Sequence, residues 1–408
     1  MSGERAWWRQ ATPAQWRVLA AAMAGWMLDA MDVMLYAFAL PTIRAEFGLS
    51  GAQAGALASV TLLASAAGGI AFGALADRIG RARALVLSIL TYSLFTALTA
   101  TAHSLPELVL WRTLVGLGLG GEWAAGSVLV AESWPAAHRG KAIGLMQSGW
   151  ALGYILAALL SSAVLPTHGW RPLFALGLLP ALVVVWIRRR VPEPDRFVPS
   201  TRTGGIPWAE LARPPLLGRA TVATLLTTLV LFAYWGLFTW VPAYLASPVA
   251  SGGAGLSVVR SSAFIIPMQL GAWAGYVLFG VIADRWGRRS TFAAFVLAAA
   301  AVVPVYGQLA RHPGLLLALG PLVGFAGHGY FSLFGAMLAE LFPGRIRGTA
   351  QGLCYNLGRA ISALAPATIG ALADRHGIGS ALVLTALFFA ASAAVVRLLP
   401  ETRGEELG

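Results

Sequence analysis

Of its 408 residues the chain spends one on cysteine, Cys354, and one on lysine, Lys141. A single cysteine excludes an internal disulfide and any cysteine cluster for zinc or iron–sulfur. Lying in an apolar run, it reads as a buried, inert thiol. Charge is equally scarce. Only 11% of residues are charged, where soluble domains carry about 25%. No Walker loop, nucleotide fingerprint or catalytic constellation is present, so neither an enzyme nor a cofactor is expected. The start, "MSGERAWWRQATPAQW", has no short apolar stretch before a small-residue cleavage site, so no cleaved signal peptide is expected.

Apolar sequence fills the space that charge leaves. Hydrophobic residues make up 58% of the chain and mean hydropathy is +0.71. A membrane helix needs about 20 mostly apolar residues. Twelve such segments are expected: 17–40, 53–75, 84–102, 107–130, 141–164, 171–188, 220–245, 261–283, 290–309, 314–338, 349–371 and 379–398. The fold class is therefore an all-α membrane protein in a lipid bilayer. The proline-rich stretch 189–219 reads as a linker between a six-helix half at 1–188 and another at 220–408. The net charge of +12 does not point to nucleic acid, because the basic residues sit in small clusters between apolar runs.

Those clusters set the orientation. With the N-terminus inside, twenty-two Arg and Lys residues fall on the inner side and five on the outer; Arg112 and Arg359 lie within spans. The positive-inside rule then places both termini in the cytoplasm of a bacterium's inner membrane.

The halves repeat each other. "GALADRIGRARAL" at 73–85 matches "GVIADRWGRRSTF" at 280–292, and "ESWPAAHRGKAIG" at 132–144 matches "ELFPGRIRGTAQG" at 340–352, at offsets of 207 and 208. Such parallel repeats are one architecture of secondary transporters, with substrate bound at the interface near mid-membrane. Gly73, Asp77, Arg78, Gly80 and Arg81, with Gly280, Asp284, Arg285, Gly287 and Arg288, are the expected conformational loops. The glycines would give close helix approach and a tight turn, and the aspartates would cap a helix or pair with arginine.

These residues resemble a known family. "GALADRIGRARAL" is similar to the cytoplasmic signature of the major facilitator superfamily, and "RTLVGLGLGGEWAAG" at 112–126 to its fourth-span motif. More narrowly, "GLGGEWAAGSVLVAESWPAAHRGKAIG" and "HGWRPLFALGLLP" resemble the sialate and monocarboxylate:proton symporter branch. The paired aspartates of "GWMLDAMDVMLYAFALP" resemble the aromatic-acid:proton branch. The seventh span lacks the Asn…His…Gln-Asp signature of fungal carboxylate permeases, and the fifth lacks the Gly-Pro motif of drug antiporters. The resemblance implies a monomeric symporter importing a small organic anion with protons. Its rivals are a uniporter, an anion exchanger and a non-transporting sensor on the same fold.

Charges at membrane depth are expensive, and each needs a reason. Counting about 1.5 Å per residue from span ends, Asp29 lies about 18 Å and Asp32 about 22 Å from the inner side. On the same rise Arg112 lies about 8 Å and Glu122 about 22 Å from the outer side, with Arg359 about 15 Å from the inner side. Asp32 and Arg112 are thus level and are expected to pair, keeping Asp32 ionised. Asp29 and Glu122 have no cation at their level in that half, and desolvation favours their protonated form. They are expected to carry the proton, although Asp29 with Arg112 and a titrating Asp32 is also consistent. Arg359 has no acid in its own half, and its planar fork suits a carboxylate. It is expected to grip the anion, with Asn356 and Tyr355 on the same face, or else to pair across the halves with Asp29 or Glu122 as a gate. Arg112, His328 and Gln147 complete the candidate substrate residues.

Overall fold

In hydrocarbon every backbone N–H and C=O must be satisfied within the protein, and a helix does this within one segment. The computed structural model is accordingly helical, with no strand among the described residues, which are 11–182, 184, 186, 211–343 and 346–401. The first half contains α1 (Pro13–Phe47), α2 (Gly51–Ile79), α3 (Arg81–Thr99), α4 (Leu105–Ser133), α5 (Ala136–His168) and α6 (Trp170–Ala175), which runs into a 3₁₀ turn at Leu176–Leu178. The second contains α7 (Leu216–Phe238), α8 (Val241–Ala246), α9 (Val258–Trp286), α10 (Arg288–Gln308), α11 (Pro313–His328), α12 (Phe331–Glu340), α13 (Arg347–Ser362), α14 (Leu364–His376) and α15 (Ile378–Val395). Residues 189–210 of the expected linker lie outside the described residues.

Local sequence sets the helix ends. Thr12 with Gln15 and Ser50 with Gln53 form capping boxes that start α1 and α2. The turns after the second and eighth spans are built alike: Gly80 has φ 106° and ψ 155°, and Gly287 has φ 87° and ψ 155°. That left-handed φ favours glycine, so the tight-turn expectation holds at both positions.

Three spans of the second half are interrupted, and each becomes a helix pair: α7/α8, α11/α12 and α13/α14. Proline explains one break. Pro242 has no N–H and its ring opposes the carbonyl four residues back. That carbonyl, Phe238 O, instead accepts a hydrogen bond from Tyr154 Oη of α5, at 3.0 Å. A break in one half thereby becomes a polar contact with the other.

Small residues bring helices together in both halves in the same way. A Cβ on Gly120 of α4 would overlap the Ser65 carbonyl of α2, and one on Gly324 of α11 would overlap the Met268 carbonyl of α9. This is the close backbone approach that drives helix association in membranes. At Gly73 and Gly280, by contrast, a Cβ would meet nothing within 4 Å. The expected close approach is therefore absent there. Gly140 and Gly352, at the same arginine-rich end of the bundle, also face open space. The opposite end is tightly joined, with Gly51 and Gly55 of α2 directly against Gly370 and Pro366 of α14. There too Glu46 binds Arg171 at 2.7 Å and accepts from Trp170 Nε1 at 2.6 Å. The Arg171 hydrogen bond, with help from Trp170, holds the Glu46 carboxyl below the usual carboxylate range.

Candidate functional site

A cavity of about 20 Å³ lies between the halves, room for about one water. Tyr36 of α1, Thr61 and Ser65 of α2 and Arg112 of α4 form its polar wall on one side. Trp235 of α7, Thr239 after it and Arg359 of α13 face them from the other half. Both intramembrane arginines, 1% and 5% exposed, thus line one space. Arg112 is held in place: its Nε donates to Thr61 Oγ1 at 3.2 Å, and its guanidinium lies 4.9 Å from the Tyr36 ring centroid. The ring is itself fixed, because Tyr36 Oη donates to Ala54 O at 2.7 Å. Arg112 Nη1 and Arg359 Nε have no hydrogen-bond partner. A guanidinium with an unused N–H beside a cavity is prepared for an anion.

The three acids stand behind this wall and do not line it. Asp29, Asp32 and Glu122 are at most 1% exposed; the carboxylate oxygens of Asp29 and Glu122 accept no hydrogen bond, while Asp32 has the Thr96 hydroxyl beside it. Arg112 is the cation that acts on Asp32, and Arg359 the one that acts on Asp29. The expected Asp32–Arg112 partnership is therefore present at a distance but does not close into a hydrogen-bonded pair, since Thr61 and Tyr36 hold the guanidinium elsewhere. Glu122 reaches α1 at Gly25, where a Cβ would strike its Oε1. Asp29 stands one turn along from Gly25 and interacts electrostatically with Glu122. The Tyr92 hydroxyl of α3, buried and without a partner, lies within electrostatic reach of all three acids. Sequence reasoning missed Tyr92, because an aromatic in an apolar helix looks like packing.

The remaining sequence candidates divide. Tyr355 lies within electrostatic reach of both Arg359 and Asp29. Asn356 does not reach the cavity wall: its Nδ2 donates to Gly352 O at 3.0 Å and its Oδ1 rests against Gly69 of α2. Gln147 donates from Nε2 to Phe331 O across the halves at 3.5 Å. His328 is also away from the cavity. Its Nδ1 is 3.1 Å from Gly324 O and its Nε2 3.3 Å from Tyr234 Oη. A carbonyl only accepts, so Nδ1 carries the proton and Tyr234 donates to Nε2. Tyr234 accepts in turn from Trp150 Nε1 of the first half at 2.5 Å. Both ring nitrogens of His328 are thus satisfied within the protein.

Known proteins match this architecture along its whole length. The sequence profile of the Major Facilitator Superfamily matches residues 22–275 and 254–407. The chain belongs to this superfamily. It is 35% identical over 371 residues to the cis,cis-muconate transport protein of Acinetobacter baylyi, covering 88% of this chain and 87% of that one. It is 30% identical over 388 residues to the sialic acid transporter NanX of Escherichia coli, covering 95% and 94%. Among solved structures, a D-xylose-proton symporter shares the fold with a TM-score of 0.76 at 20% identity, covering 97% of this chain and 100% of that one. This facilitator is a transporter and not an enzyme.

The facilitator's signature loops are partly visible. Arg78 is exposed, and Arg288 forms an ion pair with Glu340. Arg285, also exposed, is engaged in further contacts. The side chains of Asp77, Arg81 and Asp284 are not among those the structure describes.

Proposed function

We propose that this facilitator is a monomeric proton symporter that imports a small organic anion, a monocarboxylate, by alternating access across a bacterial inner membrane. Its units are residues 1–188 and 220–408, joined by 189–219, and the arginine-rich end faces the cytoplasm. The single observation that carries this reading is the shared cavity: one buried arginine from each half lines it, and behind the arginines stand Asp29 and Glu122 with no hydrogen bond. Arg359, with Arg112 opposite, holds the carboxylate, and Tyr355 supports Arg359. Asp29 and Glu122 hold the proton, with Asp32 as their neighbour. Arg359 acts on Asp29 across the halves, so an anion arriving at Arg359 competes with that carboxylate for one cation. The competition couples the two fluxes: anion binding frees Asp29 from its counter-charge and favours its protonation. The names of the relatives support an acidic substrate.

Reconstituted vesicles test the reading. A panel of labelled carboxylates, including cis,cis-muconate and sialic acid, is offered with the outside acidic. Accumulation that follows the pH gradient and collapses with a protonophore is expected. Equal uptake without the gradient would make the protein a uniporter or exchanger. No uptake of any acid would favour a sensor.

A further inference from the structure

At the end of the bundle opposite the arginine-rich loops, a carboxylate of the second half completes a helix of the first. The first four N–H groups of a helix have no partner within it. In α2 two of them are met locally: Gln53 N donates to Ser50 Oγ at 3.1 Å, and Ser50 N to Gln53 Oε1 at 3.0 Å. The other two are met from across the interface. Gly51 N donates to Asp374 Oδ1 at 2.9 Å, and Ala52 N donates to Asp374 Oδ2 at 3.1 Å. Arg44, in the last turn of α1, adds an ion pair to Oδ1 at 3.3 Å. Asp374 lies on α14, and Gly51 and Gly55 allow α2 to approach it so closely.

The sequence around Asp374 gives this contact a context. "GALADRHG" at 370–377 differs at one position from "GALADRIG" at 73–80, the signature at the opposite end. Its final glycine repeats the turn as well, with φ 81° and ψ 151° at Gly377. A second carboxylate caps a helix start in this way: Glu401 accepts from Arg288 N at 2.9 Å and Arg289 N at 3.1 Å. That cap stays within one half, whereas the Asp374 cap crosses between halves.

We propose that Asp374 is a transport-cycle latch: its carboxylate on the N-terminus of α2 holds this end of the transporter shut, and opening the end withdraws it. A helix N-terminus carries about half a positive charge, and hydrogen bonds to an ionised acceptor are about twice as strong as neutral ones. The carboxylate is 32% exposed, so water replaces its partners when the halves part. The latch is thus strong enough to bias the cycle and weak enough to release. A cap within one half is present in every state and biases none of them. A cap between halves exists only while this end is closed.

The test uses the full-length chain with Cys354→Ser and a reporter, Ala58→Cys, at the cavity wall. Membrane-impermeant maleimide is applied from each side in turn. With Asp374→Ala, labelling from the latch end rises about ten-fold and labelling from the other end falls. Arg44→Ala shifts both rates the same way, by about two- to three-fold. Arg375→Ala, an exposed neighbour, leaves them unchanged. For any transported acid, Asp374→Ala lowers maximal uptake rate more than it changes the half-saturating concentration. If Asp374→Ala fails to fold, Arg44→Ala decides alone. Unchanged two-sided labelling in the folded variants overturns the latch. The labelling needs no substrate, so failure of the anion-symport reading is scored separately.

Discussion

Arg359 and Asp29 belong to different halves, yet Arg359 is the cation that acts on Asp29. Removing either should therefore disturb a different flux. Arg359→Ala should weaken carboxylate binding by about ten- to hundred-fold, the worth of one charge-assisted hydrogen bond, at every pH in a binding assay. Arg359→Lys should recover only part of it, since an ammonium cannot bind bidentately. Asp29→Asn or Glu122→Gln should abolish pH-driven accumulation while substrate counterflow persists. If neither variant alters proton dependence, the proton is carried elsewhere. The five charged side chains could be read from sequence because a charge inside an apolar span stands out. Tyr92, Trp235 and Thr239 could not, because lipid-facing, packing and cavity-lining positions use the same residue types. The converse limit appears at His328, Asn356 and Gln147. Their polarity was visible, but the carbonyls they bond, Gly324, Gly352 and Phe331, come from the fold.

At the scale of elements, the spans were legible from run length alone, whereas the capping boxes at Thr12 and Ser50 emerge with the structure. The interruptions were not legible either. Proline recurs inside unbroken helices here, as at Pro41 and Pro267, so Pro242 alone did not announce a break. The glycines were legible as a class but not by role: Gly120 is buried against another backbone, while Gly73 faces open space. Overpacking costs about 1–3 kcal/mol. Gly120→Val should lower the thermal midpoint of the detergent-solubilised protein by several degrees. Gly140→Ala, with open space around it, should leave the midpoint unchanged or slightly raised, because alanine favours helix over glycine. Equal losses in the two variants would mean that close backbone approach does not hold α4 against α2.

For the whole molecule, the duplication was visible as two matches at nearly one offset, and the matching turns at Gly80 and Gly287 give it a structural form. That the end at Gly51 and Gly55 is the tightly joined one was not visible. That depends on contacts such as Asp374 to α2, hundreds of residues apart in the chain. The charge carried per cycle is also a property of the whole molecule. One proton entering with one monoanion moves no net charge, so the membrane potential should not drive uptake. Each uncompensated charge would add about 2.3 kcal/mol per 100 mV, an accumulation of about fifty-fold at 1.36 kcal/mol per decade. In vesicles with a fixed pH gradient, clamping the potential at 0 and at 100 mV should therefore give the same steady accumulation. A change approaching fifty-fold would show that one charge per cycle goes unbalanced, through either a second proton or a substrate of different charge. In the second-proton case the three buried acids would have to be divided between two carriers.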